Sequence, residues 1–413
     1  MDQEQERVEL VPIDPIPVPE SEPQKKNGYW ARVAKIYKVV SRALLIVLPV
    51  FVVLFLVIGA RAFTAESISS FFKDVKSATS LVSTDYQSVT YTFDEGEAVV
   101  IPYRGGVAMV STKSIEVYAP DGEILFSDEI AMTSPRAVSS GKFLVVYDYG
   151  TPNFFVANAY GVVHRGTMPS ENDIALPIFA CKVSDTGRFA FVTPSVGDYS
   201  HVYLYNERYE PTVFEKDYTV VDIALSANGE HLAMLGMASE NGALGSKLEV
   251  YRVGDSEAAA EMLFEEESPR KLDFTSDNYL SVLTGEELRV VDIEGKEKAT
   301  VDVPGSIRLF YSNEYGCVLV SEMEEMGPTQ CVILLDERGK EQARIEVVGT
   351  ITSASLEKGR AFLLCGENVL VLDTGATEAE SVYCGASANG VFAIDANRVR
   401  VTFAGEARLY TID

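Results

Sequence analysis

Short runs of β-branched and aromatic residues, a turn that returns about every 40 residues and one uncharged apolar stretch near the N-terminus predict the fold class. It is all-β, a β-propeller behind a single transmembrane helix. The 413 residues, 47% hydrophobic and 23% charged, suffice to bury a substantial core. Sixty-one acids against 35 bases give a formal charge of −26, a field that repels phosphate backbones, so no nucleic-acid partner is expected. Three histidines and five cysteines, none in a C-x-x-C or H-x-x-x-H spacing, argue against a zinc site.

The charge divides the chain. Residues 1–24 hold seven acids, one base and Pro12, Pro15, Pro17, Pro19 and Pro23, too little apolar surface to offset the entropy of ordering, and are expected to form a disordered tail. Residues 25–42 are basic, with Lys25, Lys26, Arg32, Lys35, Lys38 and Arg42. Residues 43–60 (ALLIVLPVFVVLFLVIGA) are 18 uncharged positions, roughly 27 Å as a helix, enough to cross a bilayer. Bases precede this span and Arg61 follows it almost alone, so the positive-inside bias places the N-terminus in the cytoplasm and the bulk outside. Trp30 and Tyr37 suit the interface. The rival reading is a cleaved signal peptide ending at Ala60-Arg61-Ala62, disfavoured by the 42 residues before the apolar run. Residues 61–87 are read as a stalk or linker, with a weak helical pattern from Ala65 to Val82.

From residue 88 to 413 strands and turns alternate. One turn recurs as Ser-x-x-Gly before an apolar strand: SSGKFLVVY at Ser139, SDTGRFAFV at Ser184 and SANGEHLAM at Ser226, with looser copies elsewhere. The turn residues Gly106, Gly141, Gly187, Gly229, Asn278, Gly316, Gly359 and Gly390 follow one another at 35, 46, 42, 49, 38, 43 and 31 positions. A second strand follows each and ends in an acidic or Asn turn, as in HVYLYNERYE at His201 and VILLDERGKE at Val332. Two turns per unit of about 40 residues mean about four strands per unit, the pattern of a propeller blade. Eight blades are expected, with seven as the alternative. The last unit is short, and Ser88 to Asp94 (SVTYTFD) is the candidate to complete it and close the ring.

The turn signature resembles the Ser-Pro-Asp-Gly-Lys type of WD40-like and quinoprotein-like propellers, although no unit here keeps the Pro. The layout of acidic tail, basic segment, single span and propeller is similar to that of a family of uncharacterised membrane-anchored proteins of Gram-positive bacteria, grouped under a domain of unknown function. That resemblance implies fold and location and transfers no functional residue.

Little chemistry is legible. The only Trp, Trp30, lies before the span, so the tryptophans that dock a quinone are missing and no cofactor is expected. Gly385-Ala386-Ser387-Ala388-Asn389 lacks the second Gly of a nucleophile elbow. His164, His201 and His231 sit in or beside repeat strands and read as packing. No D-x-D-x-D-G loop occurs, so no metal is expected. Cys181, Cys317, Cys331, Cys365 and Cys384 read as buried small apolar residues, with a Cys317–Cys331 bridge left open.

What remains is a surface. If the first strand of each repeat hairpin is the second of its blade, four long loops share one end of the ring: 148–153, 193–200, 237–246 and 321–330. They nominate Asp148, Tyr149, Asp198, Tyr199, Glu240, Asn241, Glu322, Glu324 and Glu325 as a binding face. The expectation is a non-enzymatic module for an envelope protein or wall-derived ligand, its acidity favouring a cationic or amphipathic partner. The alternatives are a hydrolase or lyase with carboxylates at the channel mouth, or an extracytoplasmic sensor.

Overall fold

The computed structural model describes residues 89–90 and 98–412, apart from 121, 172–173, 195–199, 241–242, 286 and 324–328. The acidic tail, the basic segment, the apolar stretch 43–60 and the stalk therefore lie outside the described residues. Among the described residues no helix is long and apolar enough to cross a membrane.

The repeat resolves into eight four-stranded antiparallel sheets, each a blade. Blade 1 is Val99–Tyr103, Gly106–Val110, Ser114–Tyr118 and Ile124–Glu129. Blade 2 is Pro135–Ser139, Leu144–Asp148, Asn153–Asn158 and Gly161–Thr167. Blade 3 is Ala180–Val183, Phe189–Val192, Ser200–Tyr205 and Pro211–Lys216. Blade 4 is Thr219–Leu225, His231–Glu240, Ala243–Arg252 and Ala260–Glu265. Blade 5 is Pro269–Ser276, Tyr279–Thr284, Glu287–Asp292 and Glu297–Val301. Blade 6 is Ser306–Asn313, Gly316–Glu322, Thr329–Leu335 and Glu341–Val348. Blade 7 is Ile351–Glu357, Arg360–Cys365, Asn368–Asp373 and Glu380–Tyr383. Blade 8 takes Gly390–Asp395, Arg398–Phe403 and Glu406–Thr411 from the end of the chain and Val89–Thr90 from its other end. The fourth strand pairs Val89 with Ala407 and Thr90 with Glu406, within the segment Ser88 to Asp94 that the sequence nominates to close the ring.

The first strand of each blade packs on the first strand of the next from blade 1 through blade 8, so the first strands are innermost. Antiparallel pairing then sorts the connections onto two faces. The turn face carries the first-to-second and third-to-fourth strand turns. The connection face carries the second-to-third strand loops and the links between blades. The recurring Gly or Asn marks the start of the second strand in blades 1 to 7, as expected. The eighth copy differs: Gly390 opens the inner strand of blade 8, whose own first turn is Ala396-Asn397. This is why the last spacing is short.

The core lies between blades. Eight apolar clusters occupy the eight seams, each mixing residues of two neighbouring blades, such as Val145, Phe154 and Val156 with Phe189, Phe191 and Tyr205 at seam 2/3. A fully buried Leu or Phe contributes about 1.5–3 kcal/mol, which a lone blade would forfeit on both faces. Among the described residues the closing seam is the smallest cluster, with Val107, Met109 and Tyr118 of blade 1 against Ala407 of blade 8. Arg400, only 2% exposed, supplements it by donating Nη2–H to the Pro120 carbonyl at 3.2 Å.

The repeated turn has a physical reason beyond its own bend. Gly187 and Gly229 adopt φ of 91° and 70°, a region closed to most side chains, and bring turn N–H groups to neighbouring blades. Gly141 N–H donates to Asp185 Oδ1 at 2.7 Å, Asp185 N–H to the Ala227 carbonyl at 2.9 Å, and Asn228 N–H to Asp277 Oδ1 at 3.1 Å. Tyr103 Oη–H to Lys142 O (2.6 Å), Thr275 Oγ1–H to Glu337 O (2.7 Å), Asn313 Nδ2–H to Leu356 O (2.7 Å) and Arg360 Nη1–H to Ala396 O (2.9 Å) extend the series. With Arg400 to Pro120, each of the eight seams holds a hydrogen bond.

Seam 3/4 also buries charge. Glu249, 4% exposed, accepts from Lys216 at 2.6 Å, Lys247 at 3.1 Å and Tyr251 at 2.9 Å. Burial alone would raise the Glu249 carboxyl, but these hydrogen bonds overcome it and hold the group below its ordinary value of 4.5.

The cysteines are free, and four of the five are buried. Cys317 and Cys331 do not oppose each other: Cys317 pairs with Leu335 and Cys331 with Ser321, four positions apart along the hairpin. At about 3.4 Å per residue that offset exceeds the reach of a disulfide.

Two outcomes follow. Arg400→Ala, which leaves the closing seam without its buried donor, is expected to cost about 3 kcal/mol in urea unfolding. Glu249→Gln is expected to cost about 3 kcal/mol at pH 7. A depressed carboxyl stabilises above its unfolded value and ceases to as pH falls through its folded value, so the gap between wild type and this variant should close below about pH 4.5. A gap independent of pH would show that the Glu249 charge contributes nothing.

Candidate functional site

All four loops nominated from the sequence connect second to third strands, and so share the connection face. Of the nine residues on them, Asp198, Tyr199, Asn241, Glu324 and Glu325 lie outside the described residues, and only the backbone of Glu240 is described. The other three play different parts.

Asp148 is 3% exposed, and its Oδ1 accepts from the N–H groups of Thr133 (2.9 Å) and Ser134 (2.6 Å). It ties the link from blade 1 to the second strand of blade 2 and does not face solvent. Glu322 ends the second strand of blade 6, opposite Gln330, and pairs with Arg308. Tyr149 is 45% exposed and stands as expected at the surface.

The loop expected over 237–246 is instead a hairpin extension. Met237 pairs with Ser246, Ala238 with Gly245, Ser239 with Leu244 and Glu240 with Ala243. Gly245 and Ser246 read as loop in sequence, but here they lie in the strand. Gly245 is sterically required, since a Cβ there would meet the Phe264 carbonyl at 2.6 Å.

Tyr149 belongs to a patch that spacing alone did not show. The backbone of its loop is stitched to the link between blades 2 and 3, with Gly150 N–H to Ile178 O at 3.0 Å and Ile178 N–H to Thr151 O at 2.9 Å. This places Phe179, 42% exposed, with its ring centroid 5.5 Å from that of Tyr149. Arg136, from the inner strand of blade 2, lies 5.8 Å over the Tyr149 ring. Of the nine exposed large apolar residues among those described, five sit where strands meet the connection face: Tyr149, Phe179, Leu244, Val348 and Tyr383. Phe179 was missed because it lies in a link between blades, and Val348 and Tyr383 because they end outer strands. The signal available was an apolar residue at the one strand end where burial is not needed.

The three histidines pack rather than converge. His164 stacks on Tyr209 at 4.2 Å, and burial lowers its basicity; His201 is buried and His231 half-buried. Among the described residues no group of three or more His, Cys, Asp or Glu could hold a metal ion.

The fold recurs in solved structures. A eukaryotic initiation factor aligns at 14% identity and a TM-score of 0.52, over 76% of this chain and 83% of that one. The dihydro-heme d1 dehydrogenase NirN aligns at 15% and 0.50, over 68% and 64%, and BamB from Moraxella catarrhalis at 8% and 0.48, over 80% and 99%. Identities this low speak to the fold alone. Among curated proteins no relative matches the chain. The model of DUF5711, a family of unknown function, matches residues 80–411, and the chain belongs to that family.

Proposed function

We propose that the protein is a single-span membrane protein, N-terminus inside, whose extracytoplasmic propeller is a non-enzymatic binding module for an envelope protein or wall-derived ligand. The observation that carries the binding reading is the gathering of exposed apolar side chains on the connection face, around the Tyr149–Phe179 pair. Apolar surface left in water is the usual signature of a contact site, and an aromatic pair beside an arginine has the composition of an interface centre. The membrane reading rests on residues 43–60 and the bases before them.

In intact cells, an epitope tag placed after Asp413 should be reached by antibody once the wall is removed, and a tag before Met1 should not; the reverse pattern would overturn the orientation. Crosslinking the full-length protein in cells should trap a defined envelope component. The double variant Tyr149→Ala, Phe179→Ala, with an unchanged unfolding midpoint, should lose most of that capture. Undiminished capture would remove this face from the binding function.

A further inference from the structure

The net charge of −26 does not describe the inner wall of the ring. Inner strands begin at the connection face, so their first residues form the channel mouth there. Within the first three residues of the eight inner strands stand five bases, Arg136, Lys182, Arg270, Lys271 and Arg308, and no acid. Four of them are committed. Lys182 reaches from blade 3 to Asp273 of blade 5 at 2.5 Å, Lys271 lies 3.3 Å from Asp222, and Arg308 pairs with Glu322. Arg270 donates to the carbonyls of Gly285 and Ile307 at 3.0 and 3.3 Å.

Arg136 differs. Strand register sets it opposite Tyr147, on the face that packs against blade 3, and its guanidinium stands 5.8 Å over the Tyr149 ring. It is exposed, and among the described residues it forms no ion pair and donates no side-chain hydrogen bond. The one acid of its hairpin, Asp148, is buried and accepts from the N–H groups of Thr133 and Ser134. A guanidinium stacked on a ring keeps its N–H edge free for a planar anion, and the stacking restricts its orientation beforehand. Tyr149 and Phe179, 45% and 42% exposed with ring centroids 5.5 Å apart, continue the surface from that cation. An unpaired cation and an open aromatic pair therefore lie side by side.

We propose that this patch recognises a short extended segment of a partner protein in which a carboxylate side chain stands two residues from an aromatic one. Alternate residues of an extended chain share a face about 7 Å apart, so a carboxylate held by Arg136 sets the second side chain on the Tyr149–Phe179 rings. The contact takes one acid and not a run of them: a single guanidinium balances one charge, and the chain's own net charge of −26 repels a polyanion. The proposal rests on the connection face as the binding surface and names the chemistry of the segment it binds.

The purified full-length chain in detergent is titrated calorimetrically at low salt with the peptide acetyl-Ala-Asp-Ala-Phe-Ala-amide and with its Asn and Lys counterparts at the Asp position. The Asp peptide should bind saturably, and the other two about fivefold more weakly, the scale of one exposed ion pair. Arg136→Gln, with an unchanged unfolding midpoint, should bind the Asp and Asn peptides alike, and Arg136→Glu should prefer the Lys peptide. No saturable binding of the Asp peptide by the wild type, equal or tighter binding of the Asn or Lys peptide, or an Asp preference that survives Arg136→Gln would each overturn the proposal. So would a concentration-dependent dimer that Arg136→Gln abolishes, which would give the patch to a second copy of the chain. The reading of the face fails on capture in cells, and this proposal on the Asp preference in purified protein, so the two failures are distinguishable.

Discussion

The structure depends on burial between blades. A four-stranded sheet of this size is apolar on both faces and cannot cover either by itself, so each blade is stable only as a neighbour. Eight clusters at eight seams are the consequence. The same constraint explains why the ring must close: an unclosed last blade would leave one apolar face and one strand edge in water. Here the closing seam has the fewest apolar residues among those described, and it is also where a buried arginine and a strand from the far end of the chain are found.

Hydrogen bonds cross the seams on both faces. On the turn face, glycine geometry and acidic side chains are committed to hydrogen bonds that cross from blade to blade, so a change there disturbs two blades at once. The connection face joins blades as well, with Ile351 N–H donating to Gln330 Oε1 and Leu272 N–H to Asp222 Oδ2. Its loops differ in length, one becomes a ten-residue hairpin arm, and its strand ends tolerate Leu244, Val348 and Tyr383 in water.

Charge is distributed by a similar logic. The excess of acid sits mostly on turns and outer strands, where water solvates it at little cost. Basic residues gather at one mouth of the ring, where inner strands converge and a like-charged acid rim would be hardest to relieve. Buried ion pairs such as Lys216–Glu249 join blades at a desolvation cost that their hydrogen bonds offset.

Much of this was legible from the residues. The period of the Ser-x-x-Gly turns implied four-stranded blades, their number, and the completion of the last one by a segment near residue 89, because turn chemistry and strand alternation are local properties. The position of the nominated loops on one face followed from strand order alone. Contacts between distant parts of the chain were not legible. Asp148 reads as loop charge until Thr133 and Ser134 are seen to donate to it, and Cys317 and Cys331 read as possible partners until strand register sets them four positions apart. Phe179 meets Tyr149 because a link between blades is stitched to a neighbouring loop, and Arg136 because its strand pairs with the one that ends just before Tyr149. Local sequence determines which elements form, since propensity and turn geometry act over a few residues. Which side chains share a surface is decided by how eight seams pack, and that depends on residues far apart in the chain.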